Sequence, residues 1–298
     1  MRIGLDLGGT KISGIVMDDA RRTLQSRRIA SPAAGAAAPY EAVVDAIVAL
    51  VLELEAAVGA PCRVGIGTPG ALSPHSGVMK NCNSTCLNGR PLGDDLERRL
   101  ARPLRMDNDA NCFALSEATD GAAREHPVVF GVIIGTGTGG GIAMHGHVHR
   151  GRHGIAGEWG HTPLESDGPP CYCGRRGCVE TFLSGPGLLA DYRRSGGARA
   201  QTAAEVARLD ADGADALATA AVDRYVERFG RAMATVIDVL DPDAIVLGGG
   251  VSNTRRLYRD LPAAVARHVF NDAFTTPILP HAHGDDSGVR GAAMLWET

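Results

Sequence analysis

The sequence predicts an α/β chain folded as two lobes with a ligand cleft between them. Three observations carry this prediction. The chain has 298 residues, enough for about two domains with cores of their own. Segments with the two-residue period of strands alternate with segments of helical period. Two pairs of strand-like segments are joined by bends rich in glycine and threonine, where bare backbone amides can approach a ligand. The expected division is a small domain over 1–118, completed by about 285–298, and a large domain over 119–284.

Arg2–Leu7 alternates apolar residues and breaks at Gly8-Gly9, after which Lys11–Met17 resumes the pattern, so the chain opens with a β-hairpin. Tyr40–Val58 carries apolar positions at helical spacing, and Arg63–Thr68 is a short strand stopped by Pro69-Gly70. An amphipathic stretch covers 94–101, and 109–121 reads as a helix preceded by the polar Asn108. Val128–Ile134 is strongly β-branched and runs into seven residues of glycine and threonine, and 142–144 then closes a second hairpin. Segment 151–177 has little periodicity and many Gly, Pro and Cys residues, so it reads as a long loop that needs a tie of its own. A long helix over 214–240, a buried strand over 244–247, a turn at Gly248-Gly249-Gly250 and a small-residue helix over 287–295 complete the pattern.

The formal net charge of −4 and a pI near 6.2 provide no basic footprint for nucleic acid or an anionic membrane, which favours a small soluble partner. No apolar run approaches the roughly 20 residues that span a bilayer. The N-terminus enters a strand rather than a signal peptide, so the cytoplasm is the expected compartment. The seven cysteines are odd in number, and Cys171, Cys173 and Cys178 crowd into one stretch, which reads as metal binding rather than a disulfide framework.

Asp6-Leu7-Gly8-Gly9-Thr10-Lys11 places a carboxylate at a strand end, then a tight turn with a hydroxyl and a cation. It is no Walker A loop, since that spacing is missing and a strand follows. A hairpin bend alone would explain its glycines. Gly135-Thr136-Gly137-Thr138-Gly139 repeats the design, however, and two such loops facing each other would clamp a polyphosphate. In Asp107-Asn108-Asp109-Ala110-Asn111 a strand gives way to a helix. Phosphoryl transfer to a hydroxyl needs a base within hydrogen-bond reach, and Asp109 is the candidate. Helix capping is the competing explanation, and the two roles can fall on different residues of the pair Asn108 and Asp109.

Glu158-Trp159-Gly160-His161 and Cys171-Tyr172-Cys173 with Cys178 form the sharpest constellation. His161 and the three cysteines have the composition of a closed, four-coordinate structural zinc site. Such a site would hold the loop and present Glu158, His161 and Glu180 on one side, and those carboxylates suit a polyhydroxylated ligand. Three buried thiols beside a surface histidine are the plainer alternative.

These residues resemble the ROK family (repressors, open reading frames and sugar kinases), and the likeness runs from the first strand to Gly288-Val289-Arg290-Gly291-Ala292-Ala293. The resemblance implies an actin/hexokinase-like (ribonuclease H-like) pair of α/β domains in which sugar and ATP meet in the cleft, and a protein that is commonly a homodimer. It implies that Gly8, Gly9, Thr10, Lys11 and Gly135, Thr136, Gly137, Thr138, Gly139 hold the phosphates of ATP, with Gly4 grouped among the nucleotide residues. Asp6 would help position Mg²⁺, and Gly248, Gly249 and Gly250 would lie near the adenosine. Asp109 would be the base. Gly70, Asn83, Asn108, Asp109, Glu158, His161 and Glu180 would hold the sugar, with His161 giving one ring nitrogen to zinc and the other to the ligand.

Within the family, the stretch from Asn81 to Gly89 resembles the bacterial fructokinase (manno/fructokinase) branch, although Cys86 stands where those relatives tend to carry tryptophan. The expectation is therefore phosphorylation of the 6-hydroxyl of D-fructose. N-Acetylglucosamine, glucose and mannose are the alternative substrates. A sugar-sensing repressor is the alternative class, and it would need a helix-turn-helix ahead of the strand that begins at Arg2.

Overall fold

The computed structural model describes residues 1–33 and 39–297. In chain order the elements begin β1 (Arg2–Leu7), β2 (Lys11–Met17), β3 (Thr23–Ala30), α1 (Tyr40–Val58), β4 (Arg63–Thr68), β5 (Ala71–Leu72), β6 (Met79–Lys80), α2 (Leu92–Leu100), β7 (Leu104–Asn108) and α3 (Asp109–Thr119). They continue β8 (Val128–Ile134), β9 (Thr138–Met144), β10 (His147–Val148), α4 (Val179–Leu183), α5 (Gly185–Arg194), α6 (Ala203–Ala211), α7 (Ala216–Leu240), β11 (Ala244–Gly248), α8 (Arg255–Ala266), β12 (Ile278–Pro280) and α9 (Ser287–Met294). Two compact units result: Met1–Arg124 with Gly141–Ala156 and Asp285–Thr298, and Glu125–Gly140 with Gly157–Gly284. The division expected from sequence differs at 118, and it placed 141–156 in the large domain. That segment joins the first unit because Gly141, without a side chain, lets β9 run against the carbonyl of Ala110 in α3.

The first unit is built on a five-stranded sheet of order β3-β2-β1-β4-β7. β1 and β2 pair antiparallel, with Asp6 opposite Ser13, while β4 and β7 run parallel to β1. Strand alternation sorts the core into two faces. Ile3, Leu5, Val64 and Ile66 pack with the buried stripe Val43, Ile47, Leu50, Leu54 of α1. On the opposite face Ile15 and Met17 pack with Leu115 of α3 and Val289 of α9. The last turn of chain is pinned to this sheet, since Trp296 Nε1 donates to the Val64 carbonyl at 2.8 Å and its ring lies under the guanidinium groups of Arg63 and Arg105.

The other sheet has the order β10-β9-β8-β11-β12, and the chain passes from the second unit to the first within β9. In the second unit β11 runs parallel to both β8 and β12. The 25-residue α7 is capped by Asp215, whose carboxylate accepts the Leu217 amide at 2.9 Å, and it buries Val222, Tyr225 and Phe229. Among the described residues no helix is long and apolar enough to cross a membrane.

Several elements have no counterpart in the sequence pattern, such as α5, α6 and β12, and β3 and α8 escape it for clear reasons. β3 is an edge strand with most side chains exposed, so it lacks apolar alternation. α8 carries Pro262 in its interior, which reads as a break although Leu257, Leu261 and Val265 keep helical spacing and are buried.

Candidate functional site

In the first unit the turn after β1 is closed by the Gly8 amide, which donates to the Lys11 carbonyl at 3.0 Å, leaving Gly9 and Thr10 at an exposed tip. The Ser31 amide holds the Thr10 carbonyl from behind at 2.9 Å. Lys11 Nζ lies 3.6 Å from Asp285. Burial raises the Asp6 carboxyl above its ordinary value; Lys11 and Arg28 pull it down and Asp285 adds to the rise. Gly4 is different from the rest of this group. It is buried in mid-strand, and a Cβ there would collide with the Val289 carbonyl, so its role is to let α9 approach β1 rather than to face the turn.

At the junction of β7 and α3, Asn108 is the cap: its Oδ1 accepts the Ala110 amide at 2.9 Å. Asp109 is then the first helical residue, half-buried, with Oδ1 2.8 Å from the same amide. Asn108 is thus the capping residue, and Asp109 shares the amide that it caps. The sequence reading passed over Asp107. It is buried, and it accepts the Asn108 amide at 2.9 Å, Asn111 Nδ2 at 2.7 Å and Arg150 Nε at 2.6 Å. This carboxylate fixes the junction from which Asp109 projects. The only signal was its place in the run Asp107-Asn108-Asp109-Ala110-Asn111; nothing local points to Arg150.

Gly70 is buried where β4 turns into β5, its carbonyl accepting Thr68 Oγ1 at 2.8 Å. Asn83 is exposed on a loop closed by Asn88, which accepts the Cys82 amide at 2.9 Å and donates to the Cys82 carbonyl at 3.0 Å. Ser84 of this loop comes up to Gly9. The first unit thus gathers the phosphate-type turn and the loop carrying Asn83.

In the second unit Gly135 and Thr136 open onto a cavity of about 530 Å³ lined also by Gly185, Gln201, Ala203 and Gly250. Gly248 is buried at the end of β11, and Gly249 and Gly250 are exposed beyond it. The structure thereby brings the second glycine-threonine loop and the late glycine turn to one mostly apolar hollow, of a size that holds a nucleoside.

The long loop is anchored by Trp159. Its Nε1 donates to the Gly139 carbonyl at 3.0 Å, and its ring packs on Phe130 and Phe229 at centroid distances of 5.8 and 5.9 Å. Gly160 follows because a Cβ there would strike the Thr138 carbonyl. These contacts set the half-buried Glu158 and His161 beside the strand that ends the Gly-Thr loop. Glu180 faces that loop directly, its Oε2 accepting the Thr138 amide at 3.0 Å. Further along, Glu165 ties the loop to α7 through Arg228 at 2.8 Å and Arg231 at 2.7 Å. Trp159 and Glu165 are positioning residues that sequence reasoning missed.

His161, Cys171, Cys173 and Cys178 bring one donor atom each to within 4.8 Å of one another. Cys173 Sγ lies 3.6 Å from Cys178 Sγ, and Cys171 Sγ lies 3.5 Å from His161 Nδ1. A tetrahedral zinc with Zn–S bonds of about 2.3 Å sets its ligand atoms about 3.8 Å apart, so the donor set fits the ion. Burial raises the Cys171 thiol and pushes Cys178 up to about 12, while a hydrogen bond from Arg175 brings Cys173 down to about 6. An ion bound here would displace the protons of Cys171 and Cys178, since metal ligation takes the thiolate.

The ROK family model matches residues 2–298. An N-acetyl-D-glucosamine kinase of Pasteurella multocida (strain Pm70) is 39% identical over 99% of this chain and 99% of its own. Among solved structures, a ROK hexokinase from Thermus thermophilus superimposes with a TM-score of 0.85 at 32% identity, covering 99% of this chain and 97% of that one. A ROK family glucokinase from Streptomyces griseus, solved with glucose and AMPPNP, gives 0.82 at 28% identity over 99% and 98%. Fold and likeness together define the class, the ATP-dependent sugar kinases with the two-domain actin/hexokinase-like fold. The chain belongs to the ROK family.

Proposed function

We propose that this protein transfers the γ-phosphoryl group of MgATP to the 6-hydroxyl of N-acetyl-D-glucosamine. The observation that carries the choice of sugar is the 39% identity, over nearly the full length of both chains, to a kinase of that amino sugar. The fructose expectation drew on the short stretch from Asn81 to Gly89, in which Cys86 already departs from the fructokinase pattern. Whole-chain likeness outweighs it.

In this reading Asp109 accepts the proton as the sugar oxygen attacks the γ-phosphorus and ADP departs. Asn108, which caps α3, and Asn83 on its closed loop offer the sugar an amide each, and Gly70 shapes the floor nearby. The backbone amides of Gly8, Gly9, Thr10 and Lys11 suit phosphate oxygens, and Asp6 would hold Mg²⁺, whose charge offsets that of the phosphates. Gly135 to Gly139 supply the second set of amides, with the adenosine in the cavity beside Gly250. His161, Cys171, Cys173 and Cys178 would hold Zn²⁺, which supplies fixed loop geometry and no reacting group. Glu158, His161 and Glu180 would then meet sugar hydroxyls in a set arrangement.

A coupled ADP-release assay across N-acetyl-D-glucosamine, D-glucose, D-mannose and D-fructose tests the reading. The highest kcat/KM is expected for the amino sugar, and Asp109→Asn should lose about 10²- to 10⁴-fold in kcat. A higher kcat/KM for fructose overturns the choice of sugar, and undiminished turnover in the variant overturns the base.

A further inference from the structure

His161 faces two ways. Its Nδ1 points at the cysteine cluster, 3.5 Å from Cys171 Sγ, and its Nε2 lies 2.9 Å from the hydroxyl of Tyr172. With Nδ1 on a metal ion the proton would sit on Nε2, which would make this nitrogen a donor, and one N–H serves one good acceptor at a time. The group within reach of that nitrogen in the structure is the Tyr172 hydroxyl. The two rings meet edge to face at 5.0 Å, which sets the phenol against the imidazole.

The side chain is nevertheless 70% exposed and has no core to leave, so swinging it aside costs little besides its hydrogen bond and ring contact. Its neighbours Cys171 and Cys173 are in the cluster, so its backbone is held while its side chain turns.

We propose that Tyr172 is a gate residue of the sugar site: in the sugar-free protein its hydroxyl occupies His161 Nε2, and a sugar oxygen must displace it to bind. The proposal rests on the sugar-kinase reading and deepens it. Displacing Tyr172 sets a cost on sugar binding and none on nucleotide binding, because the nucleotide cavity is lined by other residues.

Isothermal titration calorimetry of N-acetyl-D-glucosamine, without ATP, into the zinc-loaded protein and its Tyr172→Phe variant tests this. Phenylalanine keeps the ring contact and removes only the competing acceptor. The sugar Kd should fall by about two- to tenfold, the range of one net hydrogen bond, with zinc content by elemental analysis and the KM for ATP unchanged. Tyr172→Ala, which also removes the ring, should shift the Kd in the same direction. An unchanged or weaker sugar Kd in the zinc-replete Phe variant overturns the gate, as does a stronger Kd matched by an equal change in the KM for ATP. Failure of the wild type to phosphorylate any hexose would defeat the kinase reading instead, a result visible in the ADP assay and separate from the Kd comparison.

Discussion

The carboxylate of Glu180 accepts the backbone amide of Thr138 at 3.0 Å, joining the end of the cysteine-bearing loop to the glycine-threonine loop. A Cβ on Gly137 would also come within 2.6 Å of Glu180 Oε2, so loop and carboxylate are closely fitted. Glu180 thus bears on the phosphate-type loop, and under the proposed function it would meet the sugar as well.

Glu180→Ala should accordingly raise the KM for both substrates, by about tenfold each, since a charged hydrogen bond contributes about 1.5–3 kcal/mol and part is recovered by water. A residue that touched only the sugar would raise the sugar KM alone. Steady-state kinetics with each substrate varied in turn separates the two outcomes.

Asp107 and Arg150 hold the junction that precedes Asp109, and under the proposed function they would position the base. Arg150→Ala removes the 2.6 Å partner of a buried carboxylate. We expect kcat to fall by about 10- to 100-fold, because small misplacements of a base are costly, with both KM values within about twofold. Asp107→Asn should behave alike, as its amide would face the guanidinium. A rise in KM at constant kcat would contradict a positioning role.

The cysteine cluster should carry about one zinc per chain by elemental analysis. Cys178→Ser, at a fully buried ligand position, should lose the metal, lower Tm and weaken sugar binding together, while ATP binding falls less. Full sugar affinity in metal-free protein would contradict the zinc loop's role.

The anchor of that loop on α7 predicts an acid-sensitive stability. A hydrogen bond from Arg228 foremost lowers the Glu165 carboxyl despite some burial; burial opposes the same shift at Asp191, where hydrogen bonds from Arg224 and Arg228 prevail. Both carboxyls are therefore lower in the folded chain than in the unfolded one. Their contribution is present in full above the unfolded carboxylate value of about 4 and is lost as pH falls through the lowered values. Arg228→Ala should cost about 2 kcal/mol at pH 7, less than a fully buried pair because Glu165 is partly solvated. The gap in Tm between wild type and variant should narrow below pH 4; a gap independent of pH would exclude the ion pairs as its source.

Much of the candidate site is legible along the chain because its parts are local. The hairpins around the glycine-threonine turns follow from two-residue alternation broken by glycine, and β1, β2 and β8 lie where that pattern puts them. The zinc-type ligands fall within 18 residues of one another, from His161 to Cys178, so spacing alone groups them. The junction at Asn108 and Asp109 reads as a strand-to-helix change, and only the hydrogen bond from Ala110 shows which residue caps. Elements without apolar contrast, such as β3, gave no pattern to read.

The sequence by itself determined the ligand types, the two phosphate-type turns and the candidate base, since residue chemistry and short-range periodicity are written along the chain. The tertiary structure alone decided what steadies them. Arg150 reaches Asp107 across 43 positions, Glu180 reaches Thr138 across 42, and α9 returns from the far end of the chain to cover Gly4. Such contacts depend on how packed layers bring distant segments together, and no local pattern records that approach. The same holds on a smaller scale for Tyr172, whose hydroxyl reaches the outer nitrogen of His161 only when the cluster folds the loop back on itself.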